Sequence, residues 1–216
     1  MLDSWMVRQP VLRKVQWNAA RTLYRAGVRP TYATVMGGIL GVVAGIVFAL
    51  GSTVLGIILL ALSGALDALD GTIAREFETA SQLGGILDLT IDRIVEVAVL
   101  LGLVWRYPAM EFASAVVLAS WYVNITVFMA TGAAIGGSEK LIHYPPGLVE
   151  RTEALVFFVV LAIVPAGRTY ICYCYAALEI ATTIQRMQYA WRYLRRENSD
   201  QSAANVSEGS GATRLR

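Results

Sequence analysis

The chain has 216 residues, of which 56% are hydrophobic and only 16% charged, with a formal net charge of +2 and a mean hydropathy of +0.54. That is more apolar surface than one soluble core of this size can bury, so the chain is an integral membrane protein. The near balance of charge excludes a nucleic-acid binder, and the basic residues cluster beside apolar segments, where membrane-surface anchors belong.

In chain order, residues 4–25 alternate Trp5, Val7, Val11, Leu12, Val15 and Trp17 with Arg8, Arg13, Lys14, Arg21 and Arg25. The pattern predicts an N-terminal amphipathic helix lying along the bilayer interface. No apolar run with a small-residue cleavage site follows the charges, so it is not read as a cleaved signal peptide. Apolar stretches at about 34–50, 54–74, 84–105, 112–134, 148–164 and 170–192 predict six transmembrane helices. Gly51-Ser52 is a very short turn between the first two, and Arg106-Tyr107-Pro108 breaks the chain after the third. The predicted fold is therefore all-α: a juxtamembrane helix within 1–29, a six-helix membrane domain over 30–196 and a tail over 197–216. The tail, rich in Ser, Ala, Gly and Asn, has no apolar periodicity and is expected to be disordered.

Six spans put both termini on one side. The N-terminal segment, the loop at Arg75, the loop at Lys140 and the run Arg192, Arg195 and Arg196 share that side, against Arg106 and Arg168 opposite. The excess of Lys and Arg makes it cytoplasmic, which in a bacterium means the inner membrane. Cys172 and Cys174, two apart on a predicted helix, form neither a redox pair nor a zinc half-site. His143, alone in a polar loop, reads as a surface residue. Trp5, Trp17, Trp105, Tyr107, Tyr170, Tyr173 and Tyr175 read as interface belts.

The chemistry lies in DALDGTIAREFETASQLGGILDLTID, which runs from the cytoplasmic end of the second span into the start of the third. Carboxylates at membrane depth are costly and persist where they face a cavity, a metal or a substrate. Asp67 and Asp70 are three apart, and Asp88 and Asp92 four apart, so each pair projects from one helix face. Two facing pairs form a tetracarboxylate that must bind cations, bind protons or pair with arginines. Hard oxygen ligands select hard divalent ions, and two Mg²⁺ or Mn²⁺ ions are the economical reading. Gly71, Gly84 and Gly85 let a ligand approach the backbone, and Arg75, one turn beyond Gly71, is placed to meet phosphate oxygens. Metals, arginine and glycines together describe a pyrophosphate pocket. The alternative is an ion- or proton-coupled transporter, although such carriers place their carboxylates near the bilayer midplane on broken helices.

Asp67-x-x-Asp70-Gly71-x-x-Ala74-Arg75, eight residues, then Gly84-x-x-x-Asp88-x-x-x-Asp92 resembles the signature of the CDP-alcohol phosphotransferase family at every fixed position. The surface helix, the Pro30-Thr31-Tyr32-Ala33-Thr34 entry to the first span and the span count are also similar, so the resemblance covers residues 1–196. It implies a reaction in which the hydroxyl of a small alcohol attacks the lipid-side phosphate of a CDP-linked lipid, CDP-diacylglycerol above all, and releases CMP. It further implies that Asp67, Asp70 and Asp88 are metal ligands, and that Asp92, at the edge of the metal site, is the general base. Gly71, Ala74, Arg75 and Gly84 would line the CDP pocket with Thr34 near the nucleotide, and the protein would be a homodimer.

For the acceptor, Arg151 and Arg186 sit at similar depth to the aspartates and would clamp an anionic group, with Lys140 helping from its loop. The competing reading pairs Arg151 with Glu150 or Glu153 and lets Arg186 snorkel to headgroups. GLVERTE, at residues 147–153, resembles family members that use inositol phosphate, which favours a phosphorylated polyol such as inositol phosphate or glycerol phosphate. The fourth span, ending SWYVNITVFMATGAA, lacks the Arg-rich stretch that many such members carry.

Overall fold

A computed structural model describes residues 10–77, 81–135, 147–149, 151–164 and 166–212. All regular structure among them is helical: α1 (Pro10–Arg25), α2 (Pro30–Ala49), α3 (Thr53–Glu76), α4 (Gln82–Arg106), a short 3₁₀ turn (Pro108–Met110), α5 (Glu111–Ile135), α6 (Arg151–Ile163) and α7 (Arg168–Ala212). Each predicted apolar stretch is matched by a helix. By length and composition, three of the described stretches suffice to cross a bilayer: Pro30–Ala49, Thr53–Glu76 and Pro108–Ile135. Helix α4 has 25 residues, about 37 Å at the α-helical rise, but its Asp88, Asp92, Arg93 and Glu96 dilute its apolar character.

Local signals explain the helix ends. After α1, Gly27 takes φ +85°, and Val28 N–H donates to Leu23 C=O while Gly27 N–H donates to Tyr24 C=O, each at 3.0 Å. This Schellman pairing satisfies carbonyls that the helix leaves without partners. The same motif closes α2: Gly51 has φ +92°, Ser52 N–H donates to Val47 C=O at 3.1 Å and Gly51 N–H to Phe48 C=O at 3.0 Å. The chain therefore reverses within two residues and lays α3 against α2. Pro30 occupies the first turn of α2, where its missing N–H costs nothing. Ser81 caps α4 by accepting from Gly84 N–H at 3.0 Å.

Helix α2 packs closely on both α3 and α4, and α5 packs on α7. The first set owes its closeness to a stripe at Gly37, Gly41 and Gly45. A Cβ on Gly41 would sit 2.5 Å from Val95 Cγ1 and 2.9 Å from Ser63 Oγ, and one on Gly45 would collide with the carbonyl of Ala98. Across the contact, a Cβ on Gly102 would fall on the Gly45 carbonyl itself. Small residues at four-residue spacing are how membrane helices bring backbones together. Ser63 Oγ, donating to Gly37 C=O at 2.7 Å, adds an interhelical hydrogen bond.

An aromatic cluster ties α6 to α5 and α7: Phe157 stacks on Tyr175 with ring centroids 3.8 Å apart, and Trp121 meets Phe158 edge-on at 6.1 Å. Tyr175 is thus a core residue, not a member of the interface belt, because its ring fills the space beside Phe157. Trp105 and Tyr170 do lie outward, 78% and 75% exposed. Leu50, Val54, Leu101, Phe112 and Ile163 are exposed as well, whereas Asp70, Glu96, Asn124, Glu179 and Thr182 are buried. Apolar outside and polar inside is the distribution of a protein whose surroundings are lipid. Cys172 is buried and Cys174 exposed, on different faces as expected.

One segment departs from expectation. The backbone of α7 stays helical to Ala212, through the tail that composition marks as disordered. No proline follows Pro165, and an established helix extends at one hydrogen bond per added residue.

Candidate active site

Helix α3 delivers Asp67 and Asp70 from its last three turns, and α4 delivers Asp88 and Asp92 from its first three. Because α2 holds both helices through its glycine face, short aspartate side chains suffice to meet. One carboxylate oxygen from each of Asp67, Asp70 and Asp88 lies within 4.8 Å of the others. This is the facing arrangement the spacing predicts, and three converging carboxylates suit a hard divalent cation.

Asp92 joins the group through a cation. Arg151, the first residue of α6, places Nη1 2.9 Å from Asp92 Oδ1, 3.8 Å from Asp88 Oδ1 and in an ion pair with Asp67 Oδ2. One guanidinium thus bridges three of the four aspartates. Asp88 Oδ1 is buried and accepts no hydrogen bond, with its Arg151 ion pair as long as 3.8 Å, so it retains acceptor capacity that a metal ion would use. The three converging carboxylates and this oxygen fit divalent metal.

The fourth aspartate, Asp70, is 5% exposed and accepts a hydrogen bond from Thr34 Oγ1. Thr34 also bonds back to Pro30 C=O at 3.1 Å. Thr34, expected near the nucleotide, therefore braces a carboxylate of the cluster from the entry turn of α2. Arg75 lies over Gly71: a Cβ added there would stand 3.1 Å from its Nη1. Gly84 lies within the capped first turn of α4, where a Cβ would meet Ser81 Oγ at 3.0 Å. Ala74 is on α3, between Gly71 and Arg75. Tyr24 of α1 stacks on Phe77 at the end of α3, centroids 4.0 Å apart and planes 6° from parallel. That contact fixes α1 against the end of α3.

Of the residues expected to clamp an acceptor, Arg151 is drawn into the aspartates. Arg186 turns inward, donating to Asn124 Oδ1 at 2.6 Å and lying 4.7 Å above the Phe128 ring. Lys140 and His143 lie outside the described residues. Arg93 pairs with Glu96 at 2.7 Å, a structural contact.

Sequence reasoning missed Glu96, Asn124, Glu179 and Thr182, all buried. Glu96 follows Asp92 by one turn on the same face, and Glu179 is a lone acid inside an apolar run. Both were findable by the rule that intramembrane acids mark function.

A family model described as CDP-alcohol phosphatidyltransferase matches residues 28–185. The archaetidylinositol phosphate synthase of Pyrococcus horikoshii is 30% identical over 189 residues, covering 87% of this chain and 94% of that protein. A phosphatidylinositol phosphate synthase of Mycobacteroides abscessus is 29% identical over 165 residues, 76% of this chain and 75% of its own. The crystal structure of Mycobacterium tuberculosis phosphatidylinositol phosphate synthase with CDP-DAG bound superposes with a TM-score of 0.67 at 25% identity, over 82% of this chain and 94% of that one. With the family model spanning the aspartate-bearing helices and all but the ends of the chain, this protein belongs to the CDP-alcohol phosphatidyltransferase family and is a membrane enzyme of phospholipid synthesis.

Proposed function

We propose that the enzyme transfers a phosphatidyl group from CDP-diacylglycerol to the hydroxyl of a phosphorylated polyol, inositol phosphate before glycerol phosphate, and releases CMP. The observation that carries this reading is the convergence of Asp67, Asp70 and Asp88 within 4.8 Å beside Arg75 and a glycine-lined backbone. The donor follows from the CDP-DAG-bound structure of the mycobacterial relative. The acceptor reading is supported by relatives named as inositol phosphate lipid synthases and by the cation that Arg151 places among the aspartates.

In this reading Asp67, Asp70, Asp88 and Asp92 hold two Mg²⁺ or Mn²⁺ ions. When bound, such ions stabilise negative charge on the phosphates and on departing CMP. Gly71, Ala74, Arg75 and Gly84 receive the CDP moiety, with Arg75 pairing its phosphate oxygens. Asp92 takes the proton of the acceptor hydroxyl as its oxygen bonds to the lipid-side phosphorus, and the bond from that phosphorus to the CMP oxygen breaks. Thr34 restricts Asp70 to one orientation. Arg151, Arg186 and Lys140 hold the acceptor phosphate.

Six spans, α2 to α7, carry the site at the cytoplasmic face, and α1 rests on the interface with Val15, Trp17 and Tyr24 outward beside Arg13, Lys14, Arg21 and Arg25. Two copies form a homodimer.

The deciding experiment is CMP release by purified protein from CDP-diacylglycerol, with inositol phosphate, glycerol phosphate, serine and unphosphorylated alcohols as acceptors. Release should require Mg²⁺ or Mn²⁺, stop with EDTA and be fastest with inositol phosphate. Absence of metal-dependent CMP with every acceptor, together with solute movement in liposomes, would establish the carrier alternative instead.

A further inference from the structure

We infer that Asn124 on α5 and Glu179 on α7 are positioning residues that hold Arg186 ready for the acceptor's phosphate; this rests on the anionic-acceptor reading above. Asn124 is 7% exposed and Glu179 4% exposed, buried on the two helices α5 and α7 that pack together. Asn124 Nδ2 donates to Glu179 Oε2, and Asn124 Oδ1 accepts from Arg186 Nη1 at 2.6 Å. The direction of the amide is dictated by its neighbours. A guanidinium only donates, so the amide oxygen must face Arg186, and that leaves the NH₂ toward the Glu179 carboxyl.

Two further contacts confine the guanidinium, and a third holds the turn before it. The Phe128 ring, one turn from Asn124 on α5, lies 4.7 Å beneath it. Gly147 leaves room for it, since a Cβ there would stand 3.0 Å from Arg186 Nη2 and 2.7 Å from Thr182 Cγ2. Thr182, one turn before Arg186, accepts from Val149 N–H at 3.1 Å. The segment docked on Arg186 and Thr182 thus leads within two residues to Arg151, which enters the aspartate cluster. The two arginines are placed by one set of contacts.

Stability is a weak account of the trio, because well-packed apolar residues often replace buried charges at no cost or with a gain. Orientation does account for it. A planar guanidinium recognises phosphate through a directed fork of N–H groups, and fixing one Nη fixes where the fork points.

The test uses the full chain in detergent or nanodiscs with Mn²⁺, measuring KM for inositol phosphate, KM for CDP-diacylglycerol and kcat. Asn124→Ala should raise the inositol phosphate KM about tenfold, as expected for loss of a hydrogen bond to a charged group, with CDP-diacylglycerol KM and kcat within about twofold. Glu179→Ala should do the same by removing the acceptor that anchors the amide, leaving Asn124 free to swing away from Arg186. Glu179→Gln should restore KM to near wild type, because a glutamine oxygen still accepts from Asn124. In the Arg186→Ala background, Asn124→Ala should add nothing further. If Arg186→Ala raises the inositol phosphate KM while Asn124→Ala does not, the positioning role is wrong and the acceptor reading stands. If Arg186→Ala leaves that KM unchanged, the acceptor reading itself is wrong. Equal losses in all three constants, or Glu179→Gln behaving like Glu179→Ala, would assign the trio to folding alone and overturn the proposal.

Discussion

Arg151 Nη1 lies 2.9 Å from Asp92 Oδ1, and the same nitrogen pairs with Asp67 across the helix interface. A guanidinium in that position neutralises carboxylates that a divalent ion would also claim, so the two cations compete for the same oxygens. By linkage, whatever weakens one strengthens the other.

Replacing Arg151 by Gln should therefore tighten Mn²⁺ binding, by roughly fivefold to tenfold given the usual size of such couplings. Electron paramagnetic resonance of free Mn²⁺ measures this without turnover. In EDTA the same variant should melt at a lower temperature than wild type, since the aspartates lose their internal counter-charge. Unchanged Mn²⁺ affinity would show that the guanidinium is not a competitor.

Asp92→Asn keeps the shape of the side chain and removes its ability to accept a proton. CMP release should fall by about 10²-fold to 10⁴-fold, the range expected for loss of a general base, with CDP-diacylglycerol binding changed only a few-fold. Undiminished turnover would remove Asp92 from that role.

Thr34→Val removes the hydroxyl that donates to Asp70 and leaves the methyl packing intact. Loss of a hydrogen bond to a buried charged group costs about 1.5–3 kcal/mol, so a lowered melting temperature and weaker Mn²⁺ binding are expected. Thr34→Ser should recover most of both, measured by thermal unfolding and metal titration.

Gly102→Ala would force a methyl group onto the Gly45 carbonyl. Overpacking of this kind costs about 1–3 kcal/mol, and here the relief must come from separating α2 and α4. The variant should melt lower than wild type and, although far along α4 from the aspartates, should weaken Mn²⁺ binding. A stability loss with unaltered metal affinity would confine the effect to packing.

The helix positions and the facing aspartates were legible in the sequence because each leaves a local trace. Apolar runs mark the helices, Gly51-Ser52 marks the tight reversal after α2, and spacings of three and four put each aspartate pair on one face. The destination of Arg151 was not legible. It depends on where α6 packs against α3 and α4, and the guanidinium reaches past its sequence neighbours to aspartates brought in from elsewhere. Asn124 was equally silent, since an isolated amide in an apolar run carries no period of its own and gains meaning only from Glu179 and Arg186 on another helix. Tyr175 was misassigned because an aromatic residue near a span's end looks the same whether it faces a headgroup or Phe157.

The hydrogen at each Cα of the Gly37, Gly41 and Gly45 stripe acts as a spacer of minimum thickness. Because α2 seats α3 and α4 closely against itself, the carboxylates of Asp67, Asp70 and Asp88 converge although each has a single methylene to extend. The reach of the acidic side chains and the caliper of the helix behind them are a single design variable.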